Sequence, residues 1–190
     1  MRIPVLAFVA ASILWLLPQD PVSPRALTRA QQLAAPGEPH RSLQRLVGAW
    51  DVVLRTTVPG EKERTDRGTM VAKAILGGRH VVLNFVLAMP GNALEAVQIL
   101  GYDNLTEQFT ASWRDDHSTW AVDCAGSADV DVPERITMRG SMRDARDPGG
   151  RPFRLELTLP AAGGDTVTAA IHDTQDGVEQ LRQTQQWTRR

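Results

Sequence analysis

The sequence predicts an all-β fold: an antiparallel up-and-down β-barrel of nine to ten strands preceded by a short helix. Three observations lead there. Short apolar or β-branched runs recur roughly every 10–15 residues, each followed by a turn signal. Helical periodicity appears once, just before the first of these runs, and the alternation of strands with helices that a βαβ fold requires is missing. A sheet of so many strands also leaves two long exposed edges unless it closes on itself, so a barrel is the favoured arrangement.

The helix comes first. Glu38 and Pro39 open it, Leu43, Leu46 and Val47 share one face, and Gly48 ends it. Strands follow at 50–58, closed by Pro59-Gly60; at 68–76, stopped by Gly77-Gly78; and at 80–89, where HVVLNFVLAM is apolar on both faces. After the turn Pro90-Gly91-Asn92 come 94–102, then 109–114, then 118–124 beyond Asp115-Asp116. The run 134–142 precedes the loop DARDPGG. In the next run Phe153, Leu155, Leu157 and Leu159 alternate with Arg154, Glu156 and Thr158, the signature of a half-buried strand. Strands at 166–172 and 178–188 finish the chain.

Three segments are expected: 1–20 as a signal peptide or N-terminal anchor, 21–37 as a flexible linker, and 38–190 as the barrel domain. Arg2 is followed by an apolar stretch from Ile3 to Leu17, which suits an export signal better than a spanning helix of about 20 residues. The linker is rich in proline, glutamine and alanine, although Leu27 to Ala35 has the composition for a helical turn or two. The expectation is an exported protein, periplasmic or secreted, touching a membrane only through its N-terminal segment. Hydrophobic residues at 42% argue against disorder, and a formal net charge of −1 argues against nucleic acid as a partner. One cysteine, Cys124, excludes an intramolecular disulfide and a cysteine-based zinc site. The four histidines, His40, His80, His117 and His172, show no paired ligand spacing, so no metal is expected.

Several segments resemble the DUF1579 family of bacterial proteins of unknown function: EPHRSLQRLVGAWDV at 38–52, ILGGRHV at 75–81, LGYDN at 100–104, SWRDD at 112–116 and WTRR at 187–190. Proteins of that family resemble the calycin barrels, which include lipocalins, fatty-acid-binding proteins and nitrobindin. The resemblance implies a lipocalin-like fold and a closure device in which Gly48 and Trp50 lie where the helix enters the first strand and Arg189 packs over the tryptophan. It implies no established activity. Nitrobindin binds heme, and that likeness asks for a histidine on the closing strand. VEQLRQTQQWT at 178–188 has none, so no cofactor is expected.

Candidate chemistry is sparse. A lone Arg after the Gly-Gly turn, Arg79, can aim a guanidinium into a barrel mouth or bond to loop carbonyls. Asp115, Asp116 and His117 read as an acid–base pair or as an ordinary hairpin turn. Asn84, Gln98, Trp113, Trp120 and Gln185, together with Arg79, are the candidate lining of a partly polar cavity. A slip of register by one residue would turn each of them outward. The leading expectation is a barrel that binds a small, mostly apolar molecule. The alternatives are a structural or interaction module whose barrel is filled by its own side chains, and a small enzyme, heme-dependent or built on Arg79 or the Asp115–His117 turn. The sequence leaves the oligomeric state open.

Overall fold

A computed structural model describes residues 27–58, 60–145, 147–175 and 177–190. Two short helices, α1 (Arg29–Ala34) and α2 (Glu38–Gln44), lead into ten strands. These are β1 (Gly48–Thr56), β2 (Arg64–Ile75), β3 (His80–Met89), β4 (Asn92–Asp103), β5 (Gln108–Asp115), β6 (Val122–Ala128), β7 (Arg135–Met142), β8 (Arg151–Thr158), β9 (Thr166–Gln175) and β10 (Val178–Arg189). Each pairs antiparallel with its sequence neighbours, and β1 pairs with β10, so the meander closes into a barrel as the sequence predicts. The apolar stretch at 3–17 and the first part of the linker lie outside the described residues.

Side chains alternate in and out along each strand. On β1 the inward set is Trp50, Val52 and Leu54; on β3 it is Val81, Leu83, Phe85 and Leu87; on β8 it is Phe153, Leu155 and Leu157, all buried. The register follows from this. Leu83 sits beside Gln98, and Gln98 beside Trp113, so those three share the inner face.

One end of the barrel is shut. Leu43 and Leu46 of α2 and its exit turn pack there against Trp50, each at most 2% exposed. His40 holds the start of α2: its Nδ1 accepts the Gly37 N–H at 3.0 Å, and its ring meets Tyr102 edge-on. The helix ends in tight i→i+3 turns from Arg45 to Val47, after which Gly48 takes φ +139° and starts β1.

Most strand ends move by two or three residues, as at β9, which runs on to Gln175, and three departures have a clear cause. Strand β2 starts at Arg64 rather than 68, because Asp66 points inward and is buried against Arg64, a pattern that reads as loop from composition alone. Strand β6 starts at Val122 rather than 118. Asp115 Oδ1 accepts the His117 N–H at 3.0 Å and Asp116 Oδ1 the Glu95 N–H at 3.0 Å, which fold 116–121 into a loop. The linker is anchored over its last residues: Asn104 donates to the carbonyls of Leu33 and Ala35 at 2.7 and 2.9 Å, and Arg79 Nε to that of Ala34 at 3.0 Å.

Candidate functional site

Gly48, Trp50 and Arg189 come together at the shut end. The Arg189 guanidinium carbon lies 4.2 Å from the centre of the Trp50 ring. Its two terminal nitrogens donate to the carbonyls of Val47 and Arg45, both at 2.8 Å. Those carbonyls belong to the turn that ends α2, where the helix leaves acceptors without internal donors and a cation is favoured. Trp50 Nε1 donates to the Leu46 carbonyl at 2.7 Å. A Cβ on residue 48 would sit 2.6 Å from Arg189 Nη1, so glycine is needed there for space as well as for its φ.

The other end is open. Across the middle of the barrel, Phe85 touches Trp113 (centroids 5.4 Å apart) and Trp187 (5.7 Å), forming an aromatic floor. Below it the inward residues are almost wholly buried. Above it Gln98, Trp113, Val122, Cys124, Ile171, Gln183 and Gln185 all point inward yet stay partly accessible. Cys124 and Gln185 also edge hollows on the outer face, so accessibility alone does not mark interior space; the cup is the space that the inward amides of Gln98 and Gln183 reach. Trp187 Nε1 donates to Gln185 Oε1 at 2.9 Å, and Trp113 Nε1 to Asp115 Oδ2 at 2.8 Å. The carboxamides of Gln98 and Gln183 bond to no described residue. No fully buried side-chain nitrogen or oxygen lacks a partner among the described residues, so both amides reach the open space.

Charges at the rim are paired. Asp173, 6% exposed and inward on β9, accepts from Arg151 Nε at 3.1 Å and Arg182 Nε at 2.6 Å. Arg151 also reaches Asp144 at 2.7 Å, and Arg182 reaches Gln175 at 2.6 Å. On β2 Asp66 meets Arg64 at 2.8 Å. Sequence reasoning missed this rim. The available signal was phase: Asp173 falls in step with Val167, Ala169 and Ile171, and Arg151 with Phe153 and Leu155.

The candidate lining residues divide. Gln98, Trp113 and Gln185 share the cup. Asn84 departs from the expectation: Leu83 and Phe85 occupy the inner face, so Asn84 is exposed outside, between Val71 and Val97. Trp120 lies in the β5–β6 loop at the open end, 38% exposed. Arg79 is at the shut end. Gly77 and Gly78, with φ of 68° and 82°, turn the chain so that its guanidinium bonds to the Ala34 and Leu76 carbonyls instead of entering a mouth. Asp115, Asp116 and His117 make a turn, with His117 Nε2 3.8 Å from Asp116.

Cys124 faces Gly140 and Phe153; burial, aided by Asp123, pushes its thiol up to about 12. A thiol so disfavoured as thiolate is a poor nucleophile. None of the four histidines faces the cup. His40 is buried at the shut end, His80 and His172 point outward from β3 and β9, and His117 lies in a turn. The described residues therefore offer a heme no axial imidazole inside the barrel. Two open hollows, of about 270 and 570 Å³, lie on the outer face: one over β1, β10, β9 and β8, the other over β3 to β7 beside His80, Ile99, Thr110 and Arg139.

No curated protein matches the sequence. Among solved structures, "Crystal Structure of Rv2717c from M. tuberculosis" is similar with a TM-score of 0.58 and 12% identity, over 82% of this chain and 99% of that one. At that identity the likeness shows the fold alone. A family described as "Protein of unknown function (DUF1579)" matches residues 35–189. The chain belongs to the DUF1579 family.

Proposed function

We propose that this barrel binds a small, mostly apolar molecule in its open half. The observation that carries this reading is the pair of inward carboxamides, Gln98 and Gln183, left without partners among the described residues above Phe85, Trp113 and Trp187. A barrel filled for stability alone gains nothing from open amides, whereas concave apolar sites use a few such groups to orient a ligand. The proposal includes export to the periplasm or the medium, supported by Arg2 and the apolar stretch that follows it.

The test is titration with the neutral dye N-phenyl-1-naphthylamine. Saturable one-to-one fluorescence enhancement in the wild type, abolished when Ala96→Trp fills the cup, supports the reading. An unchanged dye spectrum, or enhancement equal in the filled variant, refutes it.

One observation favours a second reading, that of an interaction module. Val71, Val86, Val97 and Ile99 form an apolar strip on the outer face of β2–β4, each 36–50% exposed. Light scattering discriminates: a concentration-dependent dimer lost in Val97→Lys would move the weight to that strip.

A further inference from the structure

The cup has a definite chemical preference, and resting on the binding reading above, we propose that its ligand is a neutral, flat molecule carrying a group complementary to a carboxamide, such as a lactam, imide or primary amide, and not a carboxylate or an amine. Four features of the cup converge on this class.

The floor is aromatic. Phe85 lies 5.4 Å from Trp113 and 5.7 Å from Trp187; Phe85 and Trp187 are buried at 2% and 1% exposure, and Trp113 is the ring of the three that stays accessible. A flat ring can stack or pack edge-on against Trp113 at small entropic cost. The free polar groups are amides. Gln98 rises from β4 beside Leu83 and Trp113, and Gln183 from β10 beside Thr56 and Ile171. Each presents both an N–H donor and a carbonyl acceptor, and each is neutral at every pH of interest. The Gln185 carbonyl is engaged by Trp187 Nε1, and that bond holds its side chain along the wall.

The cationic groups nearest the cup, Arg64, Arg151 and Arg182, are each already paired with an aspartate. Both Nε–H groups of Arg151 and Arg182 point at Asp173, and Arg151 further engages Asp144 and the Met142 sulfur. A carboxylate ligand would have to displace a buried aspartate from both. Nor is an amine provided for. Asp66 is committed to Arg64, Asp173 to its two arginines, and Asp115 at the rim accepts from Trp113 Nε1 and the His117 N–H. A charge moved into the cup would lose its hydration with no counter-charge left to replace it, which is far costlier than desolvating an amide. Matched neutral donors and acceptors lose little, because each bond to water is exchanged for one to Gln98 or Gln183.

The experiment holds the ring constant and changes the group: 2-naphthamide, 2-naphthoate and 2-naphthylmethylammonium, measured against the full chain by ligand-observed NMR and calorimetry. The expected result is naphthamide binding at least about tenfold tighter than either ion. Gln98→Leu should weaken the naphthamide about tenfold while leaving the ions unchanged, and Gln183→Leu serves as an independent second variant. Thermal unfolding confirms that each variant folds. An ion binding as tightly as the amide, or an amide affinity indifferent to both Leu variants, overturns the neutral-ligand inference and leaves the cup as a binding site. Failure of all three compounds to bind at millimolar concentration overturns the binding reading along with it.

Discussion

Arg189 does three jobs with one side chain: it covers Trp50, satisfies the carbonyls of Arg45 and Val47, and ties β10 to the end of α2. Planar geometry is what allows this, since a guanidinium can stack on a ring and donate from its edge together. Arg189→Leu should therefore cost about 2–4 kcal/mol, the sum of two charge-assisted bonds and a cation–π contact. Arg189→Lys should recover less than half of it. Gly48→Ala should cost about 2 kcal/mol or more by forcing Arg189 aside at a strained φ. Chemical denaturation of the variants checks all three; a Lys variant as stable as wild type would contradict the role of the planar group. At the same scale, Cys124 should resist thiol reagents at pH 8 in the folded protein and react at the rate of a free thiol in denaturant. Rapid labelling of the native protein would show that the strand around it opens.

The elements show how much the sequence disclosed and where it fell silent. Strand β8 was legible because Phe153, Leu155 and Leu157 alternate with polar residues, and the closing glycines marked most turns. The inner face of β3 was not, because HVVLNFVLAM is apolar on both faces and a period of two then carries no contrast. Only pairing with β2 and β4 puts Phe85 inside and Asn84 outside. The inner face of Gln98 and Gln185 was not legible either, because Gln98 lies between Val97 and Ile99 and the last strand is polar on both faces; pairing with β3 and β1 decides it. Arg79 was ambiguous because a guanidinium after a Gly-Gly turn bonds equally well to carbonyls.

Two predictions belong to the helices. His40 accepts the Gly37 N–H as a neutral ring, and desolvation lowers its pKa below the ordinary 6.5, opposed by a backbone hydrogen bond with Tyr102. His172 is lowered too, by desolvation and by Arg154. The unfolded chain thus takes up protons before the folded one. Stability is full above the ordinary histidine pKa and falls as the pH drops through it toward the lower folded values. The urea midpoint should decline between about pH 7.5 and 5.5, less steeply in His40→Gln; identical slopes would contradict the assignment. For α1, Asn104→Ala removes both bonds to the Leu33 and Ala35 carbonyls. Amide exchange in 29–34 should accelerate while the barrel strands keep their protection, because α1 buries no residue of its own.

At the scale of the molecule, the barrel is two halves with different tasks. The shut half, with α2, Trp50 and Arg189, is packed and holds the sheet closed. The other half turns the carboxamides of Gln98 and Gln183 inward without a partner among the described residues. Helices α1 and α2 lie at the shut end, where Arg79 and Asn104 bond to the end of α1. Native mass spectrometry of the protein, taken gently from its own host, tests the central claim most directly. The expected result is a protein carrying a defined extra mass of a neutral small molecule, released on denaturation and missing from the Ala96→Trp variant. An extra mass equally present in that variant, or a bare protein in every preparation with no uptake of neutral ring compounds when they are added, would contradict it.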